Sequence, residues 1–543
     1  MELNNVKESV DGNTAVEGNG NGDTAGDGQT AVDTDVLICG AGPTGLVLAI
    51  DLARRGVPAL LVEKADHLFP GSRGKGLQPR TQEVLHDLGI LETVRAAGRE
   101  YPRMLSWEGP DGTTRGREWD MMERSEPTEQ TPYANGLLIG QAHFQALLHD
   151  QLRALGGEVV FGAGLAGLDQ DEHAVTARFA DGREVRARHL VAADGGRSTV
   201  RRLLGVALRG ESVDPKPMLV ADVVVAPDAF VDEEHWHVWT GGDGGALVLC
   251  PLPGAPRLFQ MVAQYDDVDT VADTSPEGVR KLIAARTPVT ADEIAEVVWA
   301  SDFRPRAALA ERFRVGRVFL AGDAAHVHSP AGAQGLNTSV QDAYNLGWKL
   351  GQVLRHGAPA DLLDTYEAER RPVAADVLGI STRLHRKALL GGDSRRGNEV
   401  KQLGIGYRGG PLSVGRAGSL EAGDRAPDGV LPEGRLFDLY SGPHFTLLAI
   451  GTEAPALESE LVHVHTLTAY EPYGRGLFLI RPDGYVGWAG ETPRGLTGYL
   501  ARVGATAGPP ASAAGPSAAA VSATGAAQPV PVGPVSGPSR CGG

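Results

Sequence analysis

The chain has 543 residues and a formal net charge of −17. This length is enough for two or three domains, and the acidic balance disfavours nucleic acids and anionic membranes as partners. Hydrophobic residues make up 42% of the chain, yet no apolar run approaches the roughly 18 residues of a spanning helix. The first residues also lack the basic start and apolar stretch of a secretory signal, so we expect a cytoplasmic protein.

The two ends of the chain have the composition of disordered segments. Residues 1–33 are rich in Asp, Glu, Gly and Asn, and residues 505–543 in Ala, Gly, Pro and Ser. Neither has a periodic apolar pattern that would bury enough surface to offset the entropy lost on folding. We expect two disordered tails that take no part in the chemistry.

A glycine-rich turn follows the first apolar run. The pattern predicts a strand that ends near Cys39 and a helix that runs to about Arg55. Between a strand and a helix, three glycines at this spacing provide a tight turn, room for a pyrophosphate and close helix-to-strand packing. The candidate contacts with a dinucleotide are Gly40, Gly42, Pro43, Thr44 and Gly45.

An acidic residue stands where a dinucleotide site needs one. The run Ala59–Val62 predicts a second strand and ends in Glu63, with Lys64 next to it. A carboxylate about 20 residues beyond the glycines can accept hydrogen bonds from the adenosine ribose. A second Gly-x-Gly-x-x-Gly match begins at Gly404, but no strand or helix flanks it, so we interpret that match as chance.

The segment HLVAADGGRSTVRRLLGV carries a second turn motif. His189–Ala193 predict a strand, Asp194 begins its turn, and Ser198 is a plausible cap for a short helix over Thr199–Leu204. An Asp before two glycines is commonly turn chemistry alone. Its position between two other motifs favours a functional role.

Short β-prone runs separated by Gly and Pro predict an antiparallel sheet over residues 211–299. In the run HWHVW, alternation places His235, His237 and Trp239 on one face, and Trp236 and Val238 on the other. One face can line an aromatic pocket with His237 near a phenol of the ligand. The alternative is a packed sheet with a hydrogen-bonded histidine, and two histidines two residues apart do not predict a metal site.

The segment RVFLAGDAAHVHSPAGAQGLNTSVQDAYNLGWKL predicts a cofactor cradle. Val318–Ala321 predict a buried strand, Asp323 lies in the turn after it, and Thr338–Leu354 have the apolar spacing of a helix. An acid at the carboxyl end of a strand suits a sugar hydroxyl. The small residues 331–335 let the backbone approach a flat ligand, whose negative edge can face the amides of the helix start.

Taken in order, these motifs resemble those of the group A FAD-dependent aromatic monooxygenases, the para-hydroxybenzoate hydroxylase-like flavoproteins. The likeness runs from about Asp35 to Pro372 and is greatest to actinobacterial polyketide hydroxylases and the rifampicin monooxygenases. It implies an α/β fold with three parts. These are a Rossmann-like FAD-binding domain (34–210 and 300–400), an antiparallel-sheet substrate domain (211–299) and a C-terminal thioredoxin-like domain (401–504). Cys39, Cys250 and Cys541 form no Cys-x-x-Cys pair, so we expect the last domain to be structural.

The resemblance also assigns roles to residues. The first glycine motif, Glu63 and Lys64 would hold the ADP half of FAD, and Asp194 would lie near FAD and the path of NAD(P)H. Asp323 would contact the ribityl chain, with the backbone of Leu336 and Asn337 at the flavin pyrimidine edge. Further cofactor positions implied by the resemblance are Arg73, Gln141, Leu165, Pro330 and Gly335. By themselves, Arg73 would be interpreted as a solvated loop residue, Gln141 as a polar residue near a helix start and Leu165 as core.

The chemistry implied is that of the flavin. NADPH or NADH would bind transiently and reduce FAD, O2 would add at its C4a carbon, and the hydroperoxide would hydroxylate a polycyclic aromatic polyketide. No protein nucleophile is required, and Arg73 and His237 are the candidate catalytic side chains. The alternatives are a Baeyer–Villiger oxygenase, an enzyme that inactivates aromatic antibiotics, and a flavin electron carrier or sensor without oxygen transfer. The resemblance also suggests a homodimer.

Overall fold

A computed structural model describes residues 32–240, 244–329, 332–389 and 396–506 of the chain. Most of both predicted tails, Pro330, Ala331 and Cys541 therefore lie outside the described residues. Within the described ranges, no helix is both long and apolar enough to cross a membrane.

The helices, in chain order, are α1 (Pro43–Arg54), α2 (Pro79–Asp87), α3 (Leu91–Ala97), α4 (Gln141–Ala154), α5 (Thr199–Leu203), α6 (Pro276–Arg286), α7 (Gly335–His356), α8 (Asp364–Leu389), α9 (Leu436–Tyr440) and α10 (Leu496–Arg502). The strands are β1 (Thr34–Cys39), β2 (Ala59–Val62), β3 (Gly76–Leu77), β4 (Arg99–Glu100), β5 (Arg103–Glu108), β6 (Thr114–Trp119), β7 (Leu137–Leu138), β8 (Val159–Val160), β9 (Leu165–Gln170), β10 (Val175–Phe179), β11 (Glu184–Ala192), β12 (Leu208–Ser212), β13 (Met218–Val225), β14 (His235–Trp239), β15 (Leu247–Pro251), β16 (Leu258–Gln264), β17 (Ile294–Phe303), β18 (Arg306–Ala310), β19 (Arg314–Val315), β20 (Val318–Leu320), β21 (His326–Val327), β22 (Val414–Ala417), β23 (Leu420–Glu421), β24 (Val430–Leu431), β25 (Gly434–Arg435), β26 (Phe445–Ile450), β27 (Val462–Leu467), β28 (Gly476–Ile480) and β29 (Val486–Gly490).

A mainly parallel sheet brings the three motifs to one edge. Its order is β19-β20-β11-β1-β2-β8, in which β1 runs parallel to β2 and β11, and β11 runs parallel to β20. The strands are apolar without alternation, as expected for a sheet covered on both faces, and α1 packs against α4 and α7. Because parallel strands end at the same edge, the turns after Cys39, Val62, Ala192 and Leu320 meet there, where open α/β sheets bind ligands.

The middle sheet is larger than the segment in which it was predicted. Its order is β17-β13-β16-β15-β14-β5-β6, antiparallel except for the pair β14 and β5. The predicted β-prone runs correspond to β13, β14, β15 and β16. Strands β5 and β6 come from within the predicted 34–210 segment, and β17 extends to Phe303, so the boundaries at 210 and 300 do not separate the two sheets.

The C-terminal sheet has the order β23-β22-β29-β28-β26-β27. Strand β26 is parallel to β27 and antiparallel to β28, which pairs antiparallel with β29, and α10 follows. This order is that of a thioredoxin-like sheet, although residues 451–461 connect β26 to β27 without a helix. Strands β28 and β29 form a hairpin whose turn lies at residues 481–485.

Candidate active site

Each glycine of the first motif meets a different steric demand. Gly40 has a φ of +107°, and a Cβ there would lie 2.4 Å from the carbonyl oxygen of Ala193. A Cβ on Gly45 would lie 2.0 Å from the carbonyl oxygen of Gly40, so α1 can begin this close to the turn only with glycine. A Cβ on Gly42 would meet nothing within 4 Å. The open face of the turn is therefore at Gly42.

The start of α1 leaves donors exposed at that open face. The N-cap Gly42 offers no side chain, Pro43 occupies the first turn, and Leu46 makes the first bond within the helix, donating to the carbonyl of Gly42 over 3.0 Å. The amides of Thr44 and Gly45 therefore precede the hydrogen-bonded helix. Free amides at the positive end of a helix bind phosphate groups.

Backbone amides fix the acidic residue of the second strand. Glu63 accepts hydrogen bonds from the amide of Ala41 over 2.9 Å and from that of Ala65 over 3.1 Å. Next to it, the Cβ of Lys64 lies 3.8 Å from where a Cβ on Gly164 would be, and Leu165 opens β9 half-buried. The residues predicted for the adenosine end therefore lie together.

Asp194 both caps a helix and keeps one oxygen free. Its Oδ2 accepts from the amides of Thr199 at 2.7 Å and Val200 at 3.2 Å, while Oδ1 is buried without a hydrogen-bond partner among the described residues. Ser198 caps the same helix, as expected, accepting from the amide of Arg201 over 3.0 Å. A buried acceptor left unpaired at the cradle suits a donor on a ligand.

Arg73 and Asp323 lie close enough for their charges to interact. Asp323 is exposed in the turn that follows β20. Desolvation by the surrounding protein raises the pKa of its carboxyl, and the charges of His326 and Arg73 oppose this rise. The Arg73 guanidinium lies 5.2 Å from the ring centroid of Phe69 and 5.8 Å from that of Trp299. The structure thus brings together two positions that the sequence separates by 250 residues.

A buried carboxylate that the sequence reasoning missed supports this turn. Asp342 Oδ2 accepts from the amide of Gly322 over 3.1 Å and lies 2.5 Å from His326 Nε2, while its Oδ1 accepts from Arg370 Nε over 2.7 Å. Burial raises the pKa of Asp342, but His326 and Arg370 outweigh burial and lower it overall. The sequence does carry a signal for Asp342, because it is an acidic residue on a helical face whose other residues are buried.

The same carboxylate orients a pair of histidines. With Asp342 ionised, His326 Nε2 donates to it, and His326 Nδ1 shares a hydrogen bond of 2.9 Å with His328 Nε2. His328 Nδ1 is buried and has no partner among the described residues. Its ring lies 3.8 Å from where a Cβ on Gly335 would be, beside the start of α7. A second unpaired polar atom thus lies beside the cradle.

The start of α7 is held by side chains, which leaves its backbone for a ligand. Asn337 accepts from the amide of Gln78 over 2.7 Å and donates to the carbonyl of Gly76 over 2.9 Å. Gln141 accepts from the amide of Gly74 over 3.0 Å, and a Cβ on Gly74 would lie 3.1 Å from Leu336 Cδ1. The predicted residues Gln141, Leu336 and Asn337 therefore converge on the loop 74–78. The helix begins at Gly335, three residues before the predicted Thr338.

His237 faces away from the cleft between the parallel and middle sheets, which corrects its selection as a candidate catalytic residue. It is fully buried, accepts from Trp107 Nε1 over 3.0 Å and bonds the carbonyl of Asp232 over 2.9 Å. Its face of the middle sheet, which includes Trp239, packs into a core with residues of α6. The alternation in HWHVW was predicted correctly, but alternation does not tell which face meets the cleft.

The inner face of the middle sheet, turned toward the parallel sheet, carries the row Trp299, Asp222, Gln260, Cys250 and Trp236. Register places Asp222 opposite both Trp299 and Gln260, and Cys250 opposite Gln260. Directly opposite residues share a face. The loop 71–75 lies on this row: Gln260 Nε2 donates to the carbonyl of Ser72, and Lys75 Nζ donates to Gln260 Oε1.

Beside this row lies a small recess. Its lining combines Tyr101, Met121 and Met122 with charged side chains, namely Glu100, Asp120, Glu123, Arg124 and Lys401. Tyr101 and Trp236 are stacked with ring centroids 6.4 Å apart and an interplanar angle of 22°. Methionine and aromatic side chains make an adaptable apolar surface. The cradle for a dinucleotide and a surface suited to an aromatic ligand are therefore neighbours.

Comparison with known proteins agrees with this geometry. Residues 33–381 match the family described as FAD binding domain. The chain is 44% identical over 479 residues to a flavin-dependent monooxygenase of Mycobacteroides abscessus, covering 86% of this chain and 99% of that protein. It is 35% identical over 481 residues to a rifampicin monooxygenase of Streptomyces venezuelae, covering 85% and 97% respectively.

A solved structure shares the arrangement of domains. The ternary complex of aklavinone-11 hydroxylase with FAD and aklavinone matches with a TM-score of 0.74 at 30% identity, over 88% of this chain and 99% of that chain. The open turn at Gly42, the free amides of α1 and the unpaired polar atoms Asp194 Oδ1 and His328 Nδ1 fit the FAD that this family binds. The chain therefore belongs to the FAD-dependent aromatic monooxygenases, the group that its three ordered motifs predict.

Proposed function

We propose that this protein is an NAD(P)H-dependent hydroxylase of polycyclic aromatic, polyketide-type compounds. The observation that carries the proposal is the juxtaposition of the cofactor cradle with the recess of Tyr101, Met121 and Met122 and with Trp236. The aromatic and methionine side chains at the edge of this recess offer a flat ligand an adaptable apolar contact. The aklavinone complex of the similar hydroxylase supports the same substrate class.

In the proposed complex, each part of the cradle holds one part of FAD. The amides of Thr44 and Gly45 bind the pyrophosphate, and Glu63 binds the adenosine ribose. Asp323 binds the ribityl chain, and the start of α7 at Gly335 faces the pyrimidine edge. The positive end of that helix stabilises negative charge on the reduced cofactor.

FAD, when bound, supplies the redox chemistry, which we propose is reduction by NAD(P)H and oxygen transfer through its C4a-hydroperoxide. The side chains around it orient the substrate and exclude water, so no protein nucleophile is needed. The described residues contain one dinucleotide cradle. We therefore propose that NAD(P)H binds transiently across the same cleft, near Asp194 and Arg73.

The purified yellow protein tests the proposal directly. NADPH, NADH and O2 consumption are followed with aklavinone, rifampicin and other polycyclic aromatics, and the products are identified by mass spectrometry and NMR. A new ring hydroxyl supports the hydroxylase, whereas a lactone identifies Baeyer–Villiger insertion. NADPH oxidation that no aromatic compound stimulates, without any oxygenated product, would identify a carrier or sensor.

One comparison favours a second substrate class. The likeness to a rifampicin monooxygenase supports an aromatic antibiotic as the compound oxidised, with the protein inactivating it. The two roles use the same site, so they are separated by whether the product of turnover with rifampicin loses antibacterial activity. We also propose a cytoplasmic homodimer, which light scattering of the holoenzyme and cell fractionation would test.

A further inference from the structure

Two half-buried cations, Lys75 and Arg396, lie beside the inner face of the middle sheet. Lys75 Nζ lies 4.5 Å from the ring centroid of Trp236, and its hydrogen-bond acceptor is the neutral amide oxygen of Gln260. Arg396 is held by backbone bonds on both sides of Met122, its amide donating to Met121 over 2.9 Å and its carbonyl accepting from Glu123 over 3.1 Å. Its charge acts on Lys75 and on Tyr101.

Neither cation forms an ion pair with a carboxylate of the described residues. The acidic groups whose charges act on Lys75 are Cys250 and Asp222. Burial raises the pKa of Cys250 to about 12, so its thiol is neutral, and burial raises the pKa of Asp222 to about 6. Burial also lowers the pKa of both Lys75 and Arg396. Even with Asp222 ionised, one of the two positive charges stays uncompensated.

A third donor lies at this position. The indole N–H of Trp236 is buried without a hydrogen-bond partner among the described residues. A half-buried charge without a counter-ion and an unpaired buried donor each cost free energy. Both costs fall when a ligand brings an anionic oxygen, and the stacked rings of Tyr101 and Trp236 suit the conjugated ring that would carry it.

We propose that Lys75, Arg396 and the indole N–H of Trp236 form a subsite for an ionised oxygen on an aromatic ring system, namely a phenolate, an enolate or a carboxylate. The inference rests on the proposed function and narrows its substrate class to compounds that bind as anions. Ionised oxygen substituents also make a ring electron-rich, which is the state that an electrophilic oxygen donor attacks. The subsite therefore selects the reactive form of the substrate.

Binding of a coloured probe to the oxidised holoenzyme, without NADPH, tests this subsite. Alizarin, a dihydroxyanthraquinone, absorbs at longer wavelength once ionised, and its dimethyl ether cannot ionise. We expect bound alizarin to be the anion, with an apparent pKa at least one unit below that of the free dye. We expect the dimethyl ether to bind at least 10-fold more weakly.

Variants then assign the effect to the two cations. Lys75→Met and Arg396→Met should each weaken alizarin binding at least 10-fold, whereas Lys75→Arg and Arg396→Lys stay within about threefold. Lys281→Met is the matched control, because that lysine is exposed on α6, and it should bind alizarin like the unmodified protein. The flavin spectrum of each variant shows whether the cradle is intact.

The proposal is overturned if bound alizarin is neutral, if its dimethyl ether binds equally tightly, or if both Met variants keep full affinity. The first two measurements need no variant, so they decide the question even where a Met variant fails to fold. The experiment is also independent of turnover. Anion binding without any hydroxylation would leave the subsite standing and refute the proposed function, whereas hydroxylation of neutral aromatics at equal rates in the Met variants would refute the subsite alone.

Discussion

At the scale of single residues, the glycines of the first motif have different roles. Gly45 is needed for the chain to fold, whereas Gly42 leaves space for a cofactor. A Cβ at Gly45 collides with backbone, whereas Gly42 has an ordinary φ of −71° and open space around it. Substitution at Gly42 therefore leaves the chain foldable and acts on whatever occupies that space.

We expect Gly42→Trp to fold with an unchanged Tm as apoprotein and to lose bound FAD, because the indole would fill the position proposed for the pyrophosphate. The visible spectrum of the purified protein measures this. Gly404→Trp is the control, since Gly404 also has open space but belongs to the Gly-x-Gly-x-x-Gly match that we interpret as chance. Full FAD content in Gly42→Trp, or loss of FAD in Gly404→Trp, would contradict the assignment.

Asp222 gives a prediction about pH. Its pKa in the folded protein is about 6, above the ordinary 3.8, because burial disfavours the charged form. The protonated form is thus favoured on folding, and its contribution is complete below pH 3.8 and lost as the pH rises through 6. Ionised Asp222 therefore costs on the order of 2–3 kcal/mol at pH 7.

We expect Asp222→Asn to be more stable than the unmodified protein at pH 8, and the difference to shrink toward zero between pH 6 and pH 4. Thermal unfolding across that pH range measures it. A difference that stays constant with pH would show that the carboxyl is not the group responsible.

The candidate functional residues of the cradle could be predicted from the sequence, whereas those at the inner face of the middle sheet could not. Gly42, Glu63 and Asp323 stand at fixed offsets from strand ends, so spacing alone finds them. Lys75 and Arg396 come from separate loops and meet only after the sheets pack, which no local pattern encodes. The run HWHVW shows the limit most clearly, because each of its two faces carries a tryptophan.

At the scale of elements, α7 has two roles: its first turn faces the proposed cofactor, and its buried face supports the neighbouring elements. From its buried face, Asp342 joins the turn of Gly322 to His326 and to Arg370 of α8. Removing a partner from a buried ion pair costs about 3–5 kcal/mol, because the other charge stays behind. The carboxylate therefore supports both the helix packing and the shape of the cradle.

We expect Asp342→Asn to lower Tm and to weaken FAD binding, and the double variant Asp342→Asn with Arg370→Met to recover part of the lost Tm without recovering FAD affinity. The recovery follows because the double variant leaves no unpaired cation, whereas the bond to Gly322 stays altered. Differential scanning fluorimetry and FAD titration of the apoprotein measure the two effects. Equal Tm for the single and double variants would refute the charge argument.

Element positions followed closely from sequence where the apolar pattern was continuous. Ala59–Val62 were predicted as a strand and form one with those bounds, and α1 ends one residue before the predicted Arg55. The start of α7 was predicted three residues late, because Gly335 and Asn337 are poor helix formers and tertiary bonds hold them there. Strands β5 and β6 were missed because their alternation is weak and their partner β14 is distant in sequence.

At the scale of the whole molecule, buried charges tie the thioredoxin-like domain to the rest. Arg481, in the turn between β28 and β29, donates to Glu369 of α8 over 2.7 and 2.9 Å, and Lys349 of α7 donates to the same carboxylate over 2.7 Å. Asp483 accepts from Arg481 at 2.5 Å. The domain therefore packs directly against the FAD-binding part through buried ion pairs, and the two are not joined by a linker alone.

We expect Arg481→Met to lower Tm by roughly 5 °C or more, because it leaves two buried carboxylates with fewer partners. Thermal unfolding of the holoenzyme measures this. Arg408→Met is the control in the same domain: its ion pair with Asp424 is exposed, and exposed pairs contribute little. If both variants had the same Tm as the unmodified protein, the buried cluster would not be what joins the domains.

The sequence motifs predicted the fold class and the family, and the comparisons confirm both. The predicted domain boundaries do not separate the sheets, because the middle sheet includes β5 and β6 from earlier in the chain. Changes in amino-acid composition indicate where the local secondary structure changes along the chain. They do not indicate which distant strands pair.

The strand order of the parallel sheet has a consequence for biosynthesis. β1 is flanked by β2 and by β11, and β20 must then join β11 before the turn of Asp323 exists. The ribosome has therefore made more than 320 residues before the ribityl end of the cradle can form. Such distant pairings fold slowly and leave strand edges open. Flavin binding is consequently a late step in folding. A shortage of FAD would therefore cause aggregation of nascent chains before it reduced turnover.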